Sequence, residues 1–228
     1  MTRIVKEYDE RYTEFLDVAQ ELFYSNGYEQ TSVQEIIKVV NVAKGTFYHY
    51  FESKAALLNA LVERLIQQTL MILKPVVMDK EMDAIQKFEQ FFARTNNWKA
   101  ANREFLLEIT RVLYLDENVL LRTKLREEGR ALVVPLLADI IQQGLNEEIF
   151  NVTHPKHAAD IVMGMGQACS DAIAQQLLNE RPNEAMLIEI SAMFVAYEQS
   201  IERVLAAPSG SLRLIAPDVL KMWFPETV

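Results

Sequence analysis

Lys44, Gly45, Thr46, Tyr48, His49 and Tyr50 crowd into seven positions, and Lys54 follows shortly after. An ammonium, hydroxyls and an imidazole are groups that donate to phosphate oxygens and reach base edges. A glycine among them lets a helix backbone come close to a partner, because no Cβ stands in the way. Gly45 costs about 1 kcal/mol relative to alanine inside a helix, so it could be a tolerated defect instead. Tyr48, His49 and Tyr50 are consecutive, so they point about 100° apart and cannot all face a core. Lys54 sits in the first turn of a helix, where a cation opposes the helix dipole. It is either a solvated lysine or one that grips a phosphate together with free backbone N–H groups. Beside the preceding helix, the second reading prevails.

The elements that must hold these residues can be read from periodicity. Phe15, Val18, Ala19, Leu22 and Phe23 mark one face of a first helix. Ser25-Asn26-Gly27 ends it, with Gly27 suited to the left-handed cap position. A capping box opens a second helix, pairing either Thr31 with Gln34 or Ser32 with Glu35. Val33, Ile36, Ile37 and Val40 form its stripe, Asn41 suits the turn, and Phe47 and Phe51 anchor a third helix. Ser53 caps a long fourth helix with Leu57, Leu58, Leu61, Val62 and Leu65 inside, which Pro75 is expected to stop. Further helices are expected near 81–95, 99–114, 117–144, 156–179 and 184–206, with Pro135 kinking or breaking the third of these. Residues 207–210 are a breaker, and 212–224 read as a last short helix. The expected fold is all-α, with a small three-helix unit followed by a larger helical domain.

NVAKGTFYHYFESKAALL closely resembles the helix-turn-helix signature of the TetR family of bacterial transcription regulators. GYEQTSVQEI is similar to that family's Gly-x-x-x-Thr-Thr/Ser entry into its second helix. The specific match spans about residues 10 to 60. The resemblance implies a helix-turn-helix DNA-binding domain over 1–52 and a ligand-binding and dimerisation domain over 53–228. It places Thr31 and Ser32 at a phosphate, and Lys44, Gly45 and Thr46 toward the groove. Tyr48, His49 and Tyr50 would meet backbone or base edges, and Lys54 a flanking phosphate. Family members often carry a basic residue in the first turn of the second helix. Here Val33 and Gln34 stand there, so a contact from that point is weaker or made by Gln34 alone. The implied protein is a homodimeric cytoplasmic repressor, released from a palindromic double-stranded DNA operator by a small-molecule effector.

Charge limits how such binding could work. The 228-residue chain carries a net charge of −9, and its first 54 residues contribute −3 of it. A few well-placed cations must then carry any DNA affinity, with strong salt dependence. The single cysteine, Cys169, allows no intrachain disulfide and fits a reducing compartment. The N-terminus has no apolar signal core, and no run is expected to reach the roughly 18 apolar residues of a membrane span.

Other candidate chemistry is thin. His154 and His157 could share a metal, but Pro155 between them suits a helix start, and no further ligand is near in sequence. Gly164-Met165-Gly166 lacks the rest of a dinucleotide fingerprint and is expected to permit close helix packing. No catalytic constellation, metal site or cofactor is expected. The effector candidates are Phe91, Phe92, Trp98, Phe105, Tyr114, Met163 and Tyr197, which are otherwise ordinary core. A helical adaptor with a degenerate helix-turn-helix and an all-α enzyme are the competing classes. The first would have to explain intact Lys44, Thr46, Tyr48 and Lys54, and the second lacks a polar constellation.

Overall fold

The computed structural model describes residues 3–179 and 183–214, and every described element is helical. The helices are α1 (Arg3–Asn26), α2 (Val33–Val40), α3 (Lys44–Tyr50), α4 (Lys54–Met78), α5 (Ala84–Ala101), α6 (Arg103–Leu113), α7 (Val119–Asn146), α8 (Pro155–Asn179) and α9 (Glu184–Leu205), with a 3-10 turn at Asp116–Asn118 before α7. They group into two compact units: Met1–Gln67 with Glu104–Leu125, and Gln68–Arg103 with the chain from Arg126 onward. The expected short helix over 212–224 lies, beyond Leu214, outside the described residues.

In the first unit the expected caps are in place. Gly27 closes α1 at φ 82°, a left-handed conformation that glycine adopts without strain. Of the two candidate capping boxes the chain forms the Ser32–Glu35 one. Asn41 ends α2 in the left-handed region at φ 56°. Ser53 Oγ accepts the N–H of Ala56 at the start of α4. Phe15, Ala19 and Phe23 of α1 are buried, as are Ile36, Val40, Phe47, Phe51 and the Leu57–Leu58–Leu61 stripe of α4. Phe47 lies 5.5 Å from the Phe15 ring and 5.7 Å from Phe51. One fully buried ring thus fixes α3, seven residues long, to the rest of the unit.

Pro75 departs from expectation, and Pro135 does not break its helix. Pro75 lies inside α4, which continues to Met78. Pro135 lies inside α7, which continues to Asn146. Proline removes one helical hydrogen bond and crowds one carbonyl. Both rings are exposed, and buried Leu73 and Val76 flank Pro75 as Val134 and Leu137 flank Pro135. Packing of the apolar face outweighs the lost bond. A further expectation needs correcting: α4 is long and apolar enough, by length and composition, to cross a membrane. Its leucines at 57, 58, 61, 65, 70 and 73 are buried within the protein, as in a core helix.

In the second unit a single cluster gathers Leu73, Phe88, Phe91, Leu137, Ile140, Ile141, Val162, Tyr197 and Ile201. Lys87, 6% exposed, donates to Val77 O (2.8 Å) and Gln143 Oε1 (2.7 Å), closing the α4–α5 turn. α8 and α9 pack together where Gly166 faces Tyr197. A Cβ on Gly166 would stand 2.7 Å from the Tyr197 hydroxyl, so this glycine permits the close approach expected of it.

Candidate nucleic-acid interface

The helix–turn–helix α2–α3 presents its polar residues outward. Lys44, Gly45, Tyr48 and His49 are exposed, while Thr46 and Tyr50 are half-buried. A Cβ on Gly45 would meet nothing within 4 Å, so this backbone is bare on its outer side. Lys44 Nζ lies 5.8 Å from the centre of the Tyr48 ring, within the range of a weak cation–π contact. Tyr50 turns inward instead. Its ring is 4.5 Å from Tyr8 and 5.6 Å from Phe15. Partial burial, and then Tyr8, raise its hydroxyl above the usual tyrosine range.

Residues on α1 extend this surface, and the sequence reading missed them. Tyr8, Glu10, Arg11 and Glu14 line a groove of about 610 Å³ together with Thr46, His49 and Tyr50. The Tyr8 ring meets His49 edge-on at 6.0 Å and so holds the imidazole against α1. Arg11 pairs with Glu14 one turn later. The spacing of Tyr8 and Arg11 on one helical face was the available signal.

The α1–α2 loop is closed by two of the expected contact residues. Thr31 is fully buried, and its hydroxyl donates to Gly27 O at 2.8 Å and Leu22 O at 3.2 Å. That departs from a direct phosphate contact, since its only hydroxyl proton is directed into the protein. Lys54 Nζ donates to Tyr28 O (2.9 Å) and Thr31 O (3.1 Å), with Glu29 O at 3.5 Å. It also sits 4.1 Å from the centre of the Tyr28 ring. A phosphate contact from Lys54 would have to replace one of these bonds. Ser32 and Gln34 are exposed at the start of α2. The Glu35 carboxylate accepts the Ser32 backbone N–H (2.7 Å) and hydroxyl (2.8 Å), and these bonds hold it below the usual glutamate range.

The effector candidates divide between the units. Phe105 and Tyr114 belong to the first, where Phe105 is buried and Tyr114 carries Arg122 over its ring at 4.5 Å. Phe91, Phe92, Trp98, Met163 and Tyr197 belong to the second. Phe92 lies 5.5 Å from Phe91 and 6.3 Å from Tyr197, and Met163 packs on the same cluster. The Tyr197 hydroxyl donates to Val162 O at 3.1 Å, and burial raises it well above the usual tyrosine range. His154 and His157 stand 5.9 Å apart where α8 begins. Among the described residues no group of three metal-ligating side chains forms around them or elsewhere.

A three-helix unit with an outward polar α3 is the architecture of a helix-turn-helix protein. Residues 15–61 match the profile of the bacterial regulatory proteins of the tetR family. The uncharacterized HTH-type transcriptional regulator YvdT of Bacillus subtilis is 38% identical over 65 residues, covering 28% of this chain and 34% of that one. The chain thus matches about a third of that relative's length. The fatty acid metabolism regulator protein of the same organism is 27% identical over 83% of this chain and 95% of its own. A tetR-family transcriptional regulator from Pectobacterium atrosepticum shares the fold, with TM-score 0.67 at 21% identity over 91% of this chain and all of its own. The likeness to the bacterial regulatory proteins of the tetR family thus rests on residues 15–61, and over the rest of the chain it is a likeness of fold.

Proposed function

We propose that the chain is a homodimeric transcriptional repressor that grips a near-palindromic operator with α3 and lets go when a small molecule binds. The observation that carries this is the outer face of α3. Lys44, the bare backbone at Gly45, Tyr48 and His49 are presented together by a helix that one buried phenylalanine anchors. Thr46 and Tyr50 border them, and Gln34 offers a phosphate donor at the start of α2, where Ser32 would have to release Glu35 to do the same. Thr31 and Lys54 serve by closing the loop that orients α2.

One recognition helix reads only a few base pairs, so specificity calls for two copies about 34–36 Å apart on the duplex. The exposed sides of α8 and α9 support such pairing. Ile161, Gly164 and Ala168 on α8, and Ala185, Ile188, Ala192 and Val195 on α9, form small and apolar exposed stripes. Ile188 is 65% exposed and Ile161 53%, which is unusual for isoleucines on a four-helix contact unless a partner covers them. The effector reading rests on the cluster of Phe91, Phe92, Met163 and Tyr197, with Trp98, Phe105 and Tyr114 as further candidates. The test is recovery of a binding site from random DNA by the purified protein. Enrichment of a two-fold symmetric sequence supports the reading, and a failure to enrich any sequence refutes it.

A further inference from the structure

After α9 the chain turns back along it. Ala206 ends the helix in the left-handed region at φ 49°, and Ser211 N–H bonds to Pro208 O at 3.1 Å. Three successive backbone N–H groups then each meet a carboxylate. Leu212 N–H donates to Glu202 Oε1 (3.1 Å), Arg213 N–H to Glu89 Oε1 (3.2 Å) and Leu214 N–H to Glu198 Oε1 (2.8 Å). Asn96 Nδ2 donates to Leu214 O at 3.1 Å.

The spacing explains the fit. Glu198 and Glu202 are one turn apart on α9, about 6 Å along its axis. Alternate residues of an extended chain repeat at about 6.6 Å. Glu89 and Asn96 are two turns apart on one face of α5. Leu212 and Leu214 therefore address α9, and Arg213 addresses α5. Burial alternates in step: Leu212 is 2% and Leu214 1% exposed, while Arg213 is exposed. Both leucines belong to the cluster of Phe88, Phe91, Tyr197 and Ile201, on which Phe92 and Met163 pack. The segment is a short non-helical strap that lies between α5 and α9 and plugs the cluster with two leucines. Ser211 Oγ is buried with no hydrogen-bond partner, so the strap is not fully satisfied where it enters.

We propose that Ser211–Leu214 occupies an effector site in the second unit, and that its displacing ligand is an amphiphile with an N–H-bearing cationic head. This rests on the ligand-responsive reading above. Removing the strap uncovers apolar volume and takes one N–H donor from each of Glu89, Glu198 and Glu202. Glu202 is only 6% exposed, and a buried acceptor left unpaired is costly. An apolar chain alone refills the volume but not the bonds. A fatty carboxylate adds a like charge beside three others. An alkylammonium or alkylguanidinium supplies both the chain and the donors.

The test uses the full-length protein with octylammonium, octanoate and octanol, read by calorimetry and by amide exchange over residues 208–214. Octylammonium is expected to bind at least tenfold more tightly than the other two, to speed exchange in the strap, and to weaken operator binding. Equal binding of octanoate, no amine binding at millimolar concentration, or amine binding with strap exchange unchanged overturns the proposal. Glu89→Gln and Glu198→Gln keep an oxygen acceptor for the strap but lose the charge. Each is expected to weaken amine binding about tenfold, and unchanged affinity overturns it. Leu214→Ala loosens one plug and is expected to tighten amine binding several-fold, with no change again counting against it. Operator binding measured without amine separates the two levels. Its absence defeats the repressor reading, whereas intact operator binding that no amine perturbs defeats the strap alone.

Discussion

Lys54 Nζ donates to the carbonyl oxygen of Tyr28 at 2.9 Å and lies 4.1 Å from the centre of that residue's own ring. One side chain thus holds both the backbone and the ring of the loop before α2. With Thr31 O as a second acceptor, the ammonium ties the first turn of α4 to the α1–α2 loop. A charge-assisted bond of this kind contributes about 1.5–3 kcal/mol.

Lys54→Met keeps the apolar stem and removes the bonds. It is expected to lower unfolding stability by about 1–3 kcal/mol, measured by urea denaturation. A residue whose main contact is a phosphate would behave differently. Its loss would leave stability intact and reduce the slope of log affinity against log salt by about one. Observing that pattern would contradict the loop-lock role.

Glu35 links α2 to pH. Its bonds to Ser32 hold its folded pKa below the usual value of 4.5. A depressed carboxylate contributes stability that is present above the unfolded pKa and is lost as pH falls through the folded one. Glu35→Gln is therefore expected to be less stable than the native chain at pH 7, with the difference closing below about pH 4. Parallel denaturation curves with a constant gap from pH 7 to pH 3 would contradict this.

Assembly is tested best at Ile188, which is 65% exposed on α9. Ile201, at 0% exposed, lies in the core, so a charge there would report on folding rather than pairing. Ile188→Asp is expected to leave thermal unfolding of the protomer near native and to shift light scattering from dimer to monomer at micromolar concentration. A dimer that persists would remove α9 from the interface.

The helices and their caps were legible because periodicity and capping chemistry are local. Ser32, Asn41 and Gly27 each announce themselves by residue type. Pro75 misled because a local breaker was read without the buried residues on either side of it. The outer face of α3 was legible from residue types that no core would take. The roles of Thr31 and Lys54 were not, because their acceptors are backbone carbonyls of a loop that any sequence could supply. Tyr8 and Arg11 were missed because they reach α3 from 35 or more positions away in sequence. The strap is a further case: carboxylates at 89, 198 and 202 look like solvated surface until residues 212–214 lie between them.

The central claim is that α3 carries sequence-specific DNA affinity. The most direct test measures fluorescence anisotropy on the selected DNA for the native protein, Lys44→Ala and Tyr48→Phe, each at several salt concentrations. Each substitution is expected to weaken binding by about 1–3 kcal/mol with the melting temperature unchanged. Lys44→Ala is also expected to flatten the salt dependence by about one ion. Native affinity and native salt slope in both variants, with the fold intact, would contradict the account.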